Sequence, residues 1–503
     1  MQRLIPTSTA VAVLRKDRIR EQEGILKALS TRPLMVLAGE ATARLAQAIA
    51  PHARRIWVAA GPGNNGGDGL QAACLLHQWG VDVQVSLMAS PEQLPADAHA
   101  AWQRALALGV HISPQPDDRW LATLTDQDLC IDALLGIGSS REPTPTMQKW
   151  IERLNQSAAP VLALDVPTGL DADSGQVWDA APSVHKVVHA ACTLTLLAAK
   201  PGLFMGHGRD VCGEIWLDTL TSACPQDTPP PQASAWLNLE TAPAQKTHAS
   251  HKGSRGDVAI IGGEPMQLHG AGMTGAAILA AQAALHGGAG RVILSLLGAL
   301  SESSAVPPDV MQRQLSQLDL TQLTVVAGCG GGQAISPLLG EILRRSARLV
   351  LDADGLNAVS NHPEWRALLR ARGDAPGQYP TVITPHPLEA ARLLGSTALS
   401  VQQDRLQAAQ ALCDQLQCTV VLKGSGTVIA CPGQTPRINT SGNGLLATGG
   451  TGDVLAGLTG SHLALGQSAH DAACAAVWQH GAAADAWPHR EALTASRLAS
   501  RLN

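Results

Sequence analysis

Short apolar runs rich in β-branched residues alternate along the chain with Ala- and Leu-rich stretches of helical spacing. The runs lie at 56–60, 81–87, 129–133, 161–166 and 193–197 in the first half, and at 257–261, 291–296, 323–327, 349–352, 381–384 and 418–422 in the second. Continuous apolar runs separated by helices are typical of parallel strands buried on both faces. The pattern therefore predicts α/β folds with open, doubly wound sheets, which bind ligands beyond the carboxyl ends of their strands.

A Pro-rich segment separates the two halves of this pattern. The stretch ACPQDTPPPQASAWLNLETAPAQ, from 223 to 245, has almost no periodicity, and its prolines cannot continue a helix. A chain of 503 residues is also too long for one ordinary core. We predict a first domain over 1–224, a linker over 225–245 and a second domain over 246–503.

Composition and charge exclude several classes of partner. The net charge is -5 and there is no long basic run, which argues against nucleic acid as the main partner. The sequence contains no run of about eighteen apolar residues, so it predicts no membrane span. None of the ten cysteines forms a C-x-x-C pair, so neither a zinc ribbon nor a disulfide framework is indicated. We expect a cytoplasmic protein with reduced thiols that acts on small molecules, and we also expect a homo-oligomer.

Three polar loops in the first half follow predicted strands. The stretch GPGNNGGDG (61–69) precedes a helix expected near Leu70, and it fits neither the P-loop nor the dinucleotide fingerprint. By itself it is equally consistent with a tight turn. Asp132 in IDALLGIGSSRE and Asp165 in ALDVPTGLDADSG mark two further strand ends. Because the three loops lie at the same edge of the predicted sheet, we expect them to converge on one pocket. Their carboxylate and amide oxygens are suitable ligands for a hard cation. A carboxylate that does not bind the cation could act as a base.

These stretches, together with AAKPGLFMGHGRDVCGEIWL (198–217), resemble the NAD(P)H-hydrate epimerase domain over most of 1–220. The resemblance implies a Rossmann-like domain in which Asp165 is the base that handles the proton during inversion at the hydrated carbon. It also implies that potassium is bound by Asn65, Asp132 and Thr168. The residues implied to contact the damaged nicotinamide nucleotide are Asn64, Asn65, Gly66, Gly67 and Asp68. The loop implied to hold its phosphates comprises Gly136, Ile137, Gly138, Ser139, Ser140, Arg141 and Glu142.

A second glycine-rich stretch, GNGLLATGGTGDVLAGLTG (442–460), changes into an apolar helix pattern. The consecutive N–H groups of Gly450, Thr451 and Gly452 would form an anion-binding nest at the start of this helix. Asp453 lies at the same place, where a carboxylate could activate a hydroxyl beside a phosphate. For the isolated motif, a plain charge favoured by the helix dipole is an equal alternative.

Other polar residues of the second half also lie at predicted strand ends. Lys423 occupies the glycine turn of VVLKGSGTVIA, and a lysine is a natural counter-charge for phosphate, although an exposed one is usually only solvated. His386 lies between two prolines, and the helix after it carries Glu389, which could reach Mg²⁺ through water. Asp352 and Asp354 follow another strand.

The second half resembles the ribokinase-type fold, and more closely the ADP- or ATP-dependent NAD(P)H-hydrate dehydratases. The stretches HKGSRGDVAIIGG, GMTGAAILAAQAALHGGAGRV and GCGGG extend this resemblance over 250–503. It implies Mg²⁺ and ADP as co-substrate, with ADP bound by Lys423, Gly424, Ser425, Gly426, Thr427 and Gly452. It implies that the hydrate is contacted by Ala276, Gly330, His386 and Asp453. Two residues depart from the family pattern, Leu388 where glycine is usual and Gly444 where proline is usual.

The two resemblances together imply repair of hydrated NADH and NADPH, here called NADHX and NADPHX. The first domain would interconvert the R and S epimers, and Asp453 of the second would help to dehydrate the S epimer to NAD(P)H, converting ADP to AMP and phosphate. The alternative is a ribokinase-type small-molecule kinase with a non-catalytic N-terminal binding domain. The kinase would release a stable phosphorylated product, whereas the repair enzyme would release orthophosphate.

Overall fold

The structure is a computed structural model that describes residues 1–5, 9–139, 141–178, 186–225, 228–241, 247–270, 272–298, 306–374 and 379–502. The chain divides into two compact units, centred on Val11–Ala235 and on Trp236–Asn503. None of the ten cysteines is paired in a disulfide. Within the described ranges, no helix combines the length and the apolar character that a membrane crossing needs.

The first unit alternates strands and helices around one sheet. Its strands are β1 (Gln2–Arg3), β2 (Ala12–Val13), β3 (Arg55–Ala60), β4 (Asp82–Leu87), β5 (His111–Ser113), β6 (Leu129–Ala133), β7 (Val161–Leu164), β8 (Cys192–Leu196) and β9 (Glu214–Asp218). Its helices are α1 (Lys16–Leu29), α2 (Leu34–Ile49), α3 (Asn64–Gln78), α4 (Ala96–Ala107), α5 (Asp118–Leu121), α6 (Pro145–Gln156) and α7 (Gly208–Val211). Eight of these nine strands, all except β2, form the sheet in the order β1-β9-β8-β7-β6-β3-β4-β5, and β1 is its antiparallel edge.

Strand β3 shows why this sheet has helices on both faces. Ile56 and Val58 belong to a buried cluster with residues of α2, α3 and α4. Trp57, which points to the other face, belongs to a second cluster with Trp150 and Ile151 of α6. Successive side chains of a strand point to opposite faces, so a continuous apolar run needs cover on both. The predicted layered α/β architecture and the parallel strands are confirmed here.

The second unit has a longer sheet. Its strands are β10 (Ala235–Leu237), β11 (Asp257–Gly262), β12 (Arg291–Leu296), β13 (Met311–Gln312), β14 (Thr324–Ala327), β15 (Arg348–Leu351), β16 (Thr381–Ile383), β17 (Thr419–Leu422), β18 (Val428–Ala430) and β19 (Arg437–Ile438). Its helices are α8 (Met266–His269), α9 (Thr274–His286), α10 (Leu339–Arg345), α11 (Ala353–Asn361), α12 (Pro363–Asp374), α13 (Pro387–Leu394), α14 (Ala398–Gln403), α15 (Arg405–Leu416), α16 (Thr451–Ala464), α17 (Ala469–Asp485) and α18 (Ala495–Ala499). These strands follow the order β13-β12-β11-β14-β15-β16-β17-β18-β19-β10.

The strands of the second sheet are parallel from β13 to β17, and the hairpin β17–β18 around Lys423 is antiparallel. Strand β10 lies inside the predicted linker and pairs in parallel with β19. Every predicted strand is confirmed to within two residues at each end. The α/β class is confirmed for both units, while the finer Rossmann-like and ribokinase-like descriptions stay predictions.

The predicted start of α3 is wrong. The helix begins at Asn64 rather than near Leu70, so the glycine-rich stretch forms its first turns. A Cβ on Gly66 would lie 2.1 Å from the Gly61 carbonyl oxygen, and one on Gly67 would lie 2.8 Å from Ala98 Cα. A side chain at either position would clash with the neighbouring backbone, so the close packing of α3 requires glycine there. The two glycines do not interrupt the helix.

Candidate active sites of the two units

Asp165 follows β7 in a strained backbone conformation. Its φ is 68°, in the left-handed region that residues other than glycine rarely adopt, and its N–H donates to the Leu194 carbonyl oxygen at 2.7 Å. Such strain amounts to roughly 1–3 kcal/mol and persists where the surroundings determine the backbone. The carboxylate accepts hydrogen bonds from the Ile137 N–H at 3.1 Å and from the Lys200 ammonium.

Lys200 is the residue behind Asp165 that the sequence analysis did not select. Its side chain is fully buried and also donates to Thr195 Oγ1 at 2.9 Å and to the Leu196 carbonyl oxygen at 2.6 Å. Burial lowers the pKa of Lys200, although the carboxylate of Asp165 opposes that shift. A lysine in the apolar stretch LLAAKPGLF was the signal available in the sequence.

Asp165 opens onto a cavity of about 800 Å³. Gly136 lines this cavity, and a Cβ added there would approach Asp165 Oδ2 to 3.0 Å and Asn65 Oδ1 to 3.4 Å. The structure thus brings together residues from three predicted loops. The predicted site residues that line the cavity are Asn64, Asn65, Asp68, Gly136, Ile137, Gly138, Ser139 and Asp165.

Other predicted residues of the first unit lie elsewhere. Gly66 and Gly67 are buried on the packed side of α3 and are not among the cavity-lining residues that the structure describes. Arg141 and Glu142 also lie outside that lining, and Glu142 pairs with Lys186 at 2.6 Å. Ser140 falls outside the described residues. The roles predicted for these residues stay predictions.

Asp132 and Thr168 form a buried oxygen-rich pair. Asp132 is completely buried; its Oδ1 accepts from Thr168 Oγ1 and its Oδ2 from the Thr168 N–H, both at 2.8 Å. Burial raises the pKa of Asp132 to about 6, although the Thr168 donors oppose this. Among the described residues no lysine or arginine pairs with Asp132. A buried carboxylate beside a hydroxyl, without a cationic partner, fits the donor set of a hard monovalent cation.

The second unit gathers its polar residues around Asp352, at the end of β15. Asp352 is 1% exposed, and its Oδ1 accepts from Lys423 Nζ at 2.7 Å and from Thr384 Oγ1 at 2.8 Å. The potential ligand atoms of Cys329, Asp352 and Asp453 all lie within 4.8 Å of one another. Asp352 was noted at a strand end in the sequence but was not selected as a site residue, and Cys329 was not recognised.

Asp453 lies in the first turn of α16, as predicted. Burial raises the pKa of Asp453 to about 6, and the nearby Asp352 carboxylate adds to the effect. Burial would lower the pKa of Lys423, but the Asp352 and Glu389 carboxylates raise it above its usual value. A Cβ on Gly452 would lie 3.4 Å from Lys423 Nζ, so the hairpin lysine reaches the start of α16.

Arg405 holds the turn that carries Lys423. This arginine is 2% exposed, and its Nη2 donates to the carbonyl oxygens of Leu422, Lys423 and Gly426 at 3.1, 3.2 and 3.4 Å. The turn also contains the predicted nucleotide contacts Gly424, Ser425 and Thr427, and Thr427 Oγ1 donates to the Gly424 carbonyl oxygen at 3.1 Å. Sequence analysis missed Arg405, which lies on α15 and carries no motif.

The predicted hydrate contacts occupy two further loops. His386 caps α13, where it receives the N–H of Leu388, and Glu389 Oε2 accepts from the His386 N–H at 2.8 Å. Gly330 has a φ of 57°, and a Cβ there would lie 2.9 Å from Ala276 Cβ, so these two predicted contacts adjoin. Their roles stay predictions.

The comparison with known proteins covers both units. Residues 31–202 match the family model described as YjeF-related protein N-terminus, and residues 258–503 match the one described as NAD(P)H-hydrate dehydratase. The bifunctional NAD(P)H-hydrate repair enzyme of Escherichia coli (strain K12) is 35% identical over 499 residues, which cover 95% of this chain and 90% of that protein. The enzyme of the same name from Coxiella burnetii (strain RSA 493 / Nine Mile phase I) is 36% identical over 493 residues, which cover 94% of this chain and 95% of that protein.

A solved structure of the ADP/ATP-dependent NAD(P)H-hydrate dehydratase from Bacillus subtilis, co-crystallized with ATP/Mg²⁺, is 28% identical. The superposition covers 51% of this chain and 91% of the Bacillus subtilis chain, with a TM-score of 0.43. The sequence matches to the full-length relatives extend through both units. On their identity and coverage, the chain belongs to the family of bifunctional NAD(P)H-hydrate repair enzymes.

Proposed function

We propose that the first unit epimerises the R and S forms of NADHX and NADPHX, and that the second dehydrates the S form with ADP. One observation supports both halves of the proposal. Each unit holds a carboxylate near a buried or half-buried lysine: Asp165 pairs with Lys200, and Asp453 lies near Lys423, which itself pairs with Asp352. A positioned base beside a fixed positive charge is what both reactions require.

The chemistry of the first unit takes place at a carbon that carries both a hydroxyl group and the ring nitrogen. Water adds to the ring double bond at that carbon, because nitrogen stabilises the cation formed there. In the proposed route, inversion proceeds through a planar cation, so the carbon–oxygen bond breaks and a new one forms on the other face. Asp165, held in place by Lys200 and the Ile137 N–H, takes a proton from the incoming water.

Potassium is proposed at Asp132, Thr168 and Asn65. The buried Asp132 carboxylate and the Thr168 hydroxyl fit such an ion, and the Asn65 amide oxygen lies near the same loops. When bound, the ion supplies positive charge beside the phosphates of the nucleotide. These side chains then hold the Gly136–Ser139 loop in place, since the Leu135 N–H donates to Thr168 Oγ1 at 3.0 Å.

The second unit has to turn a poor leaving group into a good one. Hydroxide leaves a carbon reluctantly, whereas a phosphate ester leaves readily, so phosphoryl transfer from ADP to the hydroxyl prepares the elimination. Asp453 takes the hydroxyl proton, and the N–H groups of Gly450 and Gly452, with Lys423, stabilise the phosphoryl group. The Thr451 N–H of the predicted nest donates to the Thr448 carbonyl oxygen at 3.4 Å. Elimination then gives NAD(P)H, phosphate and AMP.

Magnesium is expected with the nucleotide, and the Asp352 carboxylate, whose oxygen lies within 4.8 Å of an Asp453 carboxylate oxygen, fits a hard divalent ion. It would neutralise phosphate charge when bound. Glu389, which we expected to reach this ion through water, contacts His386 through both carboxylate oxygens, and its role toward the ion stays a prediction. Burial would raise the pKa of Glu389, but the His386 hydrogen bonds and the Lys423 charge bring it below its usual value.

The test is to incubate the full-length protein with the S epimer, Mg²⁺ and ADP or ATP, and to measure three products. The proposal expects reduced nicotinamide and orthophosphate in equal amounts, with AMP as the remaining product and ADP preferred over ATP. A stable phosphorylated hydrate without recovery of reduced nicotinamide would establish the kinase alternative instead. The expected cytoplasmic location and homo-oligomeric state stay predictions.

A further inference from the structure

Two carboxylates share the cavity of the first unit, and their surroundings differ. Asp165 accepts hydrogen bonds from the Lys200 ammonium and from the Ile137 N–H. Asp68, in the first turns of α3, lines the same cavity, but its carboxyl group makes no hydrogen bond or ion pair with any residue that the structure describes. A carboxyl group with no donor or cation to stabilise its charge favours the neutral form.

The charged groups around Asp68 act in the same direction. Burial and the neighbouring Asp165 carboxylate raise the pKa of Asp68 well above its usual value, and Glu23 of α1 and Asp97 of α4 add to this. Lys27 of α1 opposes the shift, but its ammonium pairs with Glu23 at 2.7 Å. The cavity therefore holds one carboxylate with a fixed counter-charge and one carboxyl group whose surroundings favour the protonated form.

We propose that Asp68 is the second catalytic residue of the epimerase, the acid that protonates the departing hydroxyl group while Asp165 serves as the base. The inference rests on the proposed function of the first unit and adds a role that the resemblance does not supply, since the resemblance implies only that Asp68 contacts the substrate. Two carboxyl groups whose environments separate their protonation states are a recurrent arrangement for such a division of labour.

The proposed inversion proceeds in two steps through a planar cation. The carbon–oxygen bond breaks, the Asp68 proton passes to the departing oxygen to form water, and the ring-nitrogen lone pair forms a carbon–nitrogen double bond. A second water then adds to the other face of the planar cation, the nitrogen recovers its lone pair, and the water proton passes to Asp165. No oxidant, reductant or other reactant is needed, and proton exchange with solvent restores both carboxyl groups.

This division of labour predicts oxygen exchange with the solvent. Each inversion replaces the hydroxyl oxygen by an oxygen from water, so epimerisation in ¹⁸O-labelled water puts one label into every inverted molecule. The full-length protein is used with potassium and without nucleotide, so that the second unit does not consume the S epimer. Starting from purified R epimer of NADHX, the S epimer and its mass are followed by chromatography and mass spectrometry, and the uncatalysed rate is subtracted.

Three variants complete the experiment. Asp68→Asn keeps the shape but removes the proton, and it is expected to lower the epimerisation rate on the order of 10²–10⁴-fold. Asp68→Glu restores a carboxyl group and is expected to recover part of the rate. Asp126→Asn is the matched control, because Asp126 is exposed and precedes β6 at the opposite edge of the sheet. Dehydration of the S epimer with ADP in the same chain reports that each variant is folded.

The pH profile provides a readout that a structural role would not change. In the unaltered protein the rate falls at high pH as Asp68 loses its proton, and this alkaline limb is absent in Asp68→Asn. An unchanged rate in Asp68→Asn, a retained alkaline limb, or inversion without ¹⁸O uptake would overturn the assignment. If the unaltered protein does not speed epimerisation at all, the proposed function falls, and the inference falls with it.

Discussion

Replacing Lys200 with Met isolates the energetic contribution of the buried ammonium. Methionine keeps an unbranched side chain of similar length but removes the ammonium group that donates a hydrogen bond to the Asp165 carboxylate. The side chains of Lys200 and Asp165 are 0% and 13% exposed, so solvent replaces little of the lost interaction. Asp165 would keep the Ile137 N–H at 3.1 Å and a long contact to the Leu196 N–H at 3.5 Å.

The size of the effect follows from this geometry. Removing one partner of a buried ion pair destabilises by about 3–5 kcal/mol, because the other charge is left uncompensated. The Asp165 side chain reaches the cavity, so we expect the lower limit, about 3 kcal/mol in the free energy of unfolding of the first unit. That corresponds to a rise of about 150-fold in the opening constant. The double variant Lys200→Met/Asp165→Asn leaves no buried charge and should recover most of this loss.

Native-state hydrogen exchange with mass spectrometry measures this change in the full-length chain. Peptides from β7 and β8 report on the first unit, and peptides from β14 and β15 serve as the internal reference. Lys149→Met, at an exposed position on α6, is the matched control and should change nothing. If Lys200→Met and the double variant exchange equally fast, the pair is not energetically coupled and our account of Asp165 is refuted.

Three further predictions concern other parts of the molecule. The pKa of Asp453 is about 6 and the base must be ionised, so the rate of ADP-dependent dehydration should fall about tenfold per pH unit below pH 6. Circular dichroism should show no accompanying unfolding, because a carboxyl group whose pKa is raised in the folded state stabilises that state as the pH falls from 7 to 4. A pH-independent rate would contradict this role. Arg405→Met should raise the KM for ADP more than it lowers kcat, because three carbonyl groups of the Lys423 turn lose their donor; an unchanged KM in steady-state kinetics would contradict it. Thr168→Val should abolish any stimulation of epimerisation by potassium over sodium, whereas retained stimulation would place the ion elsewhere.

The sequence predicted the sheets well because their signal is local. A run such as 56–60 is apolar at every position only if both faces are covered, and the structure covers both faces of β3. The start of α3 was misplaced because glycines usually interrupt helices. Here Gly66 and Gly67 are required by the close approach of neighbouring backbone, a tertiary contact that no short window of sequence contains.

Two of the residues that sequence analysis missed, Lys200 and Arg405, share one property. Lys200 and Arg405 are cationic side chains buried behind a functional loop, and such residue types are ordinarily found at the surface. Each is recognisable only from its partners, Asp165 for Lys200 and the carbonyl groups of the 422–426 turn for Arg405. These partners are distant in the sequence, so their contribution becomes visible only once the fold brings them together.

The most direct test of the account is recovery of reduced nicotinamide from a mixture of both hydrate epimers, with ADP, Mg²⁺ and potassium. The unaltered chain should restore the absorbance completely. Asp165→Asn should restore the S fraction quickly and the remainder only at the uncatalysed rate of epimerisation, and Asp453→Asn should restore almost nothing. Complete recovery by Asp165→Asn at the unaltered rate, or recovery by Asp453→Asn, would contradict the assignment of one reaction to each unit.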